Sequence, residues 1–139
     1  MKLQSNSDSE TREIGRRIGE RLKAGDVVCL FGDLGAGKTT LVKGVGSAFG
    51  INERDITSAS FTIIAEYDSP VPFYHIDLYR LAHDEVYELG LQEYLGTDGV
   101  AVIEWAERAQ DYITDDFIRV NLSHREYDGR DIEIKGMEL

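Results

Sequence analysis

The chain's 139 residues make one ordinary domain, and 42% apolar content places it among globular rather than disordered or fibrous proteins. With 26 acidic against 15 basic residues the net charge is −11, and no window gathers a basic patch; direct nucleic-acid binding is therefore not expected, and the acidic excess serves mainly to keep the chain soluble, with a protein partner of basic surface as the alternative. No apolar stretch approaches membrane-span length and the N-terminus lacks an apolar signal core, while a lone cysteine excludes an internal disulfide, so the chain reads as a cytoplasmic protein of a reducing compartment.

Ser7 with Glu10 three residues later is a capping-box pattern, opening a helix whose apolar positions are Ile14, Ile18 and Leu22 and which Ala24-Gly25-Asp26 ends. Val27-Val28-Cys29-Leu30-Phe31 is a continuous apolar run, as expected of a strand buried on both faces. A glycine-rich loop follows. Leu41, Val42, Val45, Ala48 and Phe49 then mark a second helix, with Gly50 as its stop. Phe61 to Tyr67 and Phe73 to Ile76 read as strands of a hairpin about a turn-forming stretch with Pro70 and Pro72, and that turn together with the alternation in Phe73-Tyr74-His75-Ile76-Asp77 favours a sheet edge for the second. Asp84 to Tyr94 reads as a short helical region broken at Gly90, Val100 to Ile103 as a second fully apolar strand, and Trp105 to Tyr112 as helix. Phe117 to Leu122 and Asp131 to Ile134 alternate around Tyr127-Asp128-Gly129, predicting a closing antiparallel hairpin with one solvated face. The sum is an α/β fold spanning residues 1–139, a mixed, mainly parallel sheet flanked by helices with antiparallel hairpin additions.

The loop Gly32-Asp33-Leu34-Gly35-Ala36-Gly37-Lys38-Thr39 has the phosphate-loop spacing of Gly, four residues, Gly, Lys and Ser/Thr, between a strand and a helix. Glycines let the backbone turn its N–H groups inward around a phosphate, where side chains would block approach. The helix that follows points its positive end at the same anion. Lys38 reaches β- and γ-phosphate oxygens, the Thr39 hydroxyl is placed to coordinate Mg²⁺, and Thr40 stands near the α-phosphate. Asp33, Leu34, Gly35, Ala36, Gly37, Lys38, Thr39 and Thr40 are thus the candidate ATP contacts of a P-loop NTPase domain.

Such enzymes need a carboxylate at the end of a neighbouring strand to organise Mg²⁺ and the attacking water. Glu104 is the first candidate, because four apolar residues followed by an acid match a buried parallel strand emerging at the ligand edge. Asp77 is the second, acting through water on the same metal. Trp105, directly after Glu104, is expected near the nucleotide. His75, His83 and His124 lie far apart without zinc spacing, and only Arg80 suggests itself as an arginine near the γ-phosphate.

Taken together, the loop Gly32 to Thr40, the segment His75-Ile76-Asp77-Leu78-Tyr79-Arg80-Leu81 and Ile103-Glu104-Trp105 resemble one family, the small bacterial ATPases of tRNA threonylcarbamoyladenosine synthesis, the TsaE (YjeE) type. The resemblance implies a protein that binds and slowly hydrolyses ATP while docked on a two-protein synthase, a kinase-like-fold catalytic subunit and its paralogue. That synthase attaches threonylcarbamoyl to adenosine 37 of tRNAs reading codons that begin with A. It also implies that Thr39 and Glu104 hold Mg²⁺, that Thr11 lies near the adenine and that Arg130 lies close to the nucleotide. Ser58-Ala59-Ser60-Phe61-Thr62 resembles the family's Ser-Pro-Thr-Phe switch but lacks the proline, which leaves φ unrestricted there and predicts a more mobile loop. Two other functions remain open on the residues alone: a small-molecule kinase on the same loop, and a non-catalytic nucleotide-gated binding module.

Overall fold

The computed structural model describes residues 1–33, 35–57, 63–113 and 116–139. Its strands are β1 (Lys2–Ser5), β2 (Val27–Phe31), β3 (Ile64–Tyr67), β4 (Phe73–Asp77), β5 (Val100–Glu104), β6 (Ile118–His124) and β7 (Arg130–Lys135), and its helices are α1 (Asp8–Arg21), α2 (Lys38–Ser47) and α3 (His83–Glu88). One seven-stranded sheet runs in the order β1-β7-β6-β2-β5-β4-β3. Strands β6, β2, β5 and β4 are mutually parallel, while β7, β1 and β3 add antiparallel pairings at the two sides. The mixed α/β sheet with hairpin additions is as the sequence predicts.

Hydrophobic pattern and topology agree at the centre. All five residues of β2 and of β5 are buried, because helices or helical turns cover both faces there. On one face Val28, Leu30, Val100 and Val102 pack with Ile14, Ile18, Leu41, Val42 and Val45 of α1 and α2. On the other Val27, Cys29, Ala101 and Ile103 pack with Ile76, Leu78, Val86 and Leu91. Cys29 is fully enclosed, and burial pushes its thiol up to about 12. The closing hairpin keeps a solvated side, with Ile118, Val120, Leu122, Ile132 and Ile134 buried and the residues between them half-buried or exposed.

The first helix starts as its sequence indicates. The Ser7 hydroxyl accepts from the Glu10 N–H at 3.1 Å, and the Glu10 carboxylate returns to the Asn6 N–H at 2.5 Å. Its inner face meets α2 through glycines in unusually close contact: a Cβ on Gly15 would stand 2.3 Å from the Leu41 carbonyl oxygen, and one on Gly44 2.0 Å from that of Arg12. The two helices therefore meet backbone to backbone.

Two expectations need correction. β4 is not an edge strand: it pairs with β5 in parallel and with β3 on its other side, so β3 is the edge. The alternation that suggested an edge arises because His75 and Asp77 face a polar cleft rather than solvent, and both are buried. The helix expected over Trp105 to Tyr112 is a single 3₁₀ turn, Ala106–Ala109, preceded by Trp105 in the left-handed region at φ 57° and ψ 43°. The N-terminal residues, for which the sequence pattern predicts no element, form β1 along β7. The hairpin strand expected from Phe61 is described only from Ile64, since 61–62 lie outside the described residues, as does the switch-like Ser58 to Thr62. Among the described residues, no helix is long and apolar enough to cross a membrane.

Candidate functional site

The loop between β2 and α2 lies at the carboxyl end of the parallel strands, where an open α/β sheet places its ligands. Gly35 and Gly37 hold φ of 82° and 99°, a left-handed conformation in which glycine alone is unstrained. Gly37 is the N-cap of α2, and no side chain caps it, so the first N–H groups of that helix keep no side-chain partner at the cap. The loop's Leu34 falls outside the described residues. Asp33 is exposed at the rim, Ala36 is buried, and Thr39 and Thr40 are half-buried on the first turn.

Lys38, 5% exposed, folds back so that its ammonium donates to the Gly32 carbonyl and lies 3.5 Å from the centroid of the Trp105 ring system. Burial pulls the ammonium below the usual lysine range, while Glu104, Glu107, Asp77 and Asp33 pull the other way. The Thr39 hydroxyl donates to the Glu104 carboxylate, with oxygen separations of 3.2 and 3.3 Å. Glu104 is aligned with Asp77 across the β4–β5 pair. Burial, then the neighbouring Glu104 carboxylate, raises the Asp77 carboxyl above the usual carboxylate range, and the Tyr79 N–H donates to it at 3.0 Å. The fold thus brings Lys38, Thr39, Asp77, Glu104 and Trp105 into one cleft.

Thr11 and Arg130 meet at the other side of the loop. The Arg130 guanidinium donates to the Thr11 hydroxyl at 3.0 Å and pairs with Asp8 at 2.8 Å. Its Nε is buried without a hydrogen-bond partner among the described residues, and a Cβ on Gly37 would stand 2.2 Å from that atom. Both residues are buried and bonded to each other, and Arg130 lies against the loop's backbone at Gly37.

Two nearby residues were not assigned from sequence. His75 Nε2 lies 2.5 Å from Glu104 Oε2, and Arg108 donates to the Leu81 carbonyl at 3.0 Å with its guanidinium 5.8 Å from the Trp105 ring centroid. Separation in sequence hid His75; its period-two spacing from Asp77 was the available signal, since both side chains share one face of β4. Arg80 is exposed and takes part in no ion pair among the described residues. Tyr79 packs on Trp105 with ring centroids 5.0 Å apart.

The donor set suits Mg²⁺. A hydroxyl and a carboxylate are hard oxygen ligands, and cis ligands of an octahedral Mg²⁺ lie roughly 3 Å apart, close to the 3.2 Å between Thr39 and Glu104 oxygens. A nucleotide phosphate bound at the loop would compete with the indole for the Lys38 ammonium. Adding ATP is therefore expected to change the emission of Trp105, the only tryptophan. Most of that change should vanish in Lys38→Met; an undiminished change would show that the indole senses something else.

A model of the family described as threonylcarbamoyl adenosine biosynthesis protein TsaE matches residues 5–132. A TsaE protein of Bacillus subtilis is 39% identical over 133 residues, covering 95% of this chain and 83% of its own. One from a Nostoc species is 45% identical over 129 residues, covering 89% and 78%, and one from Treponema pallidum is 40% identical over 123 residues, covering 88% and 90%. Among solved structures, a crystal structure of Bacillus subtilis YdiB superimposes with a TM-score of 0.79 at 37% identity, covering 95% of this chain and 82% of that one.

Proposed function

The chain belongs to the family of threonylcarbamoyl adenosine biosynthesis protein TsaE, and from that premise we propose that residues 1–139 act as one P-loop ATPase domain that binds ATP with Mg²⁺ and hydrolyses it slowly. It serves as an accessory subunit on the two-protein synthase, the catalytic subunit and its paralogue, that threonylcarbamoylates adenosine 37 of tRNAs reading codons that begin with A. It does not perform the transfer; its ATP cycle permits the synthase to turn over repeatedly. The observation that supports this reading best is the Thr39–Glu104 contact beside Lys38 at the mouth of the loop.

Each residue then has a role set by its chemistry. The loop amides and the α2 N-terminus receive the phosphates. Lys38 exchanges the Gly32 carbonyl for β- and γ-phosphate oxygens. Thr39 and Glu104 hold Mg²⁺, which when bound neutralises charge on those oxygens. Asp77, aligned with Glu104, orients the attacking water. Thr11 and Arg130 brace the loop from the nucleotide's other side, with Thr11 toward the adenine.

Slow turnover follows from what the cleft lacks. Arg130 is committed to Asp8 and Thr11, Arg108 to the Leu81 carbonyl, and Arg80 is exposed. None of the three is held at the γ-phosphate side by a described contact, and an arginine fixed there is worth about 10³–10⁵ in rate. Completion of the site at a protein interface accounts for this. It also gives a use to a strongly acidic chain, through a partner with a basic surface.

The test reconstitutes threonylcarbamoylation with purified synthase, tRNA and this protein, counting modified adenosines per synthase. Glu104→Ala is expected to retain ATP binding, to lose hydrolysis by roughly 10²–10³-fold and to halt modification after the first turnover. Undiminished repeated turnover with Glu104→Ala would favour the nucleotide-gated module. A phosphorylated metabolite in place of free phosphate would favour the kinase.

A further inference from the structure

We propose that His75 is a positioning residue for Glu104, acting through that carboxylate on the metal site rather than on the nucleotide itself; this rests on reading the cleft as a Mg²⁺–ATP site. The side chains of both residues are almost fully enclosed, at 4% and 3% exposure, and His75 Nε2 stands 2.5 Å from Glu104 Oε2. His75 lies opposite Val102 in the parallel β4–β5 register, so its ring reaches along the shared face toward Glu104, two residues on.

The need for such a partner follows from burial. A carboxylate removed from water and left unpaired carries a large desolvation penalty, and a freely rotating one presents its oxygens to a metal in many orientations. An ionised carboxylate only accepts hydrogen bonds, so in such a pair the ring supplies the N–H. The Thr39 hydroxyl donates to the same carboxylate from the loop. Glu104 is thereby held between the loop and a neighbouring strand before any ligand arrives. When Thr39 turns its oxygen to a metal, the histidine contact remains and keeps Glu104 aimed at the same point. Outer-sphere partners of metal-binding carboxylates act in this way, and their loss typically costs 10–100-fold in metal affinity.

Two polar substitutions isolate reach from volume. The amide of His75→Gln can extend to the carboxylate, whereas that of His75→Asn falls short. ATP binding to the full chain is measured by calorimetry across a Mg²⁺ series and again in EDTA. His75→Asn should raise the Mg²⁺ needed for half-maximal binding by roughly 10–100-fold while leaving binding in EDTA within about twofold of the parent. His75→Gln should restore most of the loss, and neither change should add to Glu104→Gln, because the effect runs through that carboxylate. An unchanged Mg²⁺ dependence in His75→Asn, or equal weakening with and without metal, overturns the role. Full additivity with Glu104→Gln overturns it as well. If the parent binds ATP and a variant shows one of these outcomes, this role alone fails, whereas a parent that binds no ATP sinks the reading of the cleft too.

Discussion

Replacing Lys38 with alanine is expected to cut ATP turnover by roughly 10²–10³-fold, since a preorganised charge at the transferring phosphoryl group is lost from a water-poor site. The environment of this lysine makes the effect large. The ammonium is buried against the Gly32 carbonyl and the Trp105 ring, within the field of the carboxylates Glu104, Glu107, Asp77 and Asp33. Without it these negative charges face a polyanionic nucleotide, and Mg²⁺ alone must offset them. Arginine should not rescue the loss: its planar fork needs room that the space between the Gly32 carbonyl and the indole of Trp105 does not provide. Steady-state hydrolysis and equilibrium ATP binding separate the two contributions. A Lys38→Ala variant within tenfold of the parent in turnover would sink the phosphate-loop reading.

The second large effect concerns stability. Gly44→Ala should destabilise the fold by about 3 kcal/mol or more and lower the melting temperature by roughly 10 °C. Two terms oppose each other here. Alanine favours a helix interior over glycine by about 1 kcal/mol, but the new methyl would stand 2.0 Å from the Arg12 carbonyl oxygen and 2.8 Å from its carbon. Backbone atoms cannot rotate away, so α1 must lift from α2 and open the packing of Ile14, Ile18, Leu41 and Val45. Gly50→Ala is the internal control. Its φ is 79° and nothing among the described residues lies within 4 Å of the added carbon, so only the conformational cost of roughly 1–2 kcal/mol applies. Thermal unfolding of the two variants checks the order; equal shifts would show that the helix crossing can relax.

The sheet's centre was legible because burial on both faces leaves an unbroken apolar run, as in Val27 to Phe31 and Val100 to Ile103. The capping box and the phosphate-loop spacing were legible because each ties residue types to fixed local offsets. Legibility failed where a polar residue faces a cleft. His75 and Asp77 produced an alternation indistinguishable from that of a solvated strand, and β4 was misplaced at the edge although its polar side turns inward. Trp105 shows another limit: its left-handed backbone belongs to the tertiary setting between Lys38 and Tyr79, and no propensity for tryptophan encodes it. The four-residue β1 depends on pairing with β7 at the far end of the chain, which local pattern cannot announce. Arg130 was placed near the nucleotide by resemblance alone; its bonds to Thr11 and Asp8 span more than a hundred positions.

The sealed thiol at the centre of β2 has a practical consequence for following this protein at work. Only thiolate reacts with maleimides, and Cys29 is both inaccessible and held protonated at neutral pH by a pKa of about 12. The natural chain is thus already silent toward cysteine-directed dyes. A single cysteine placed at an exposed position such as Tyr127, 91% accessible, would carry one fluorophore at one known point without prior removal of the native sulfur. Docking on a partner could then be timed on a molecule whose interior has not been altered.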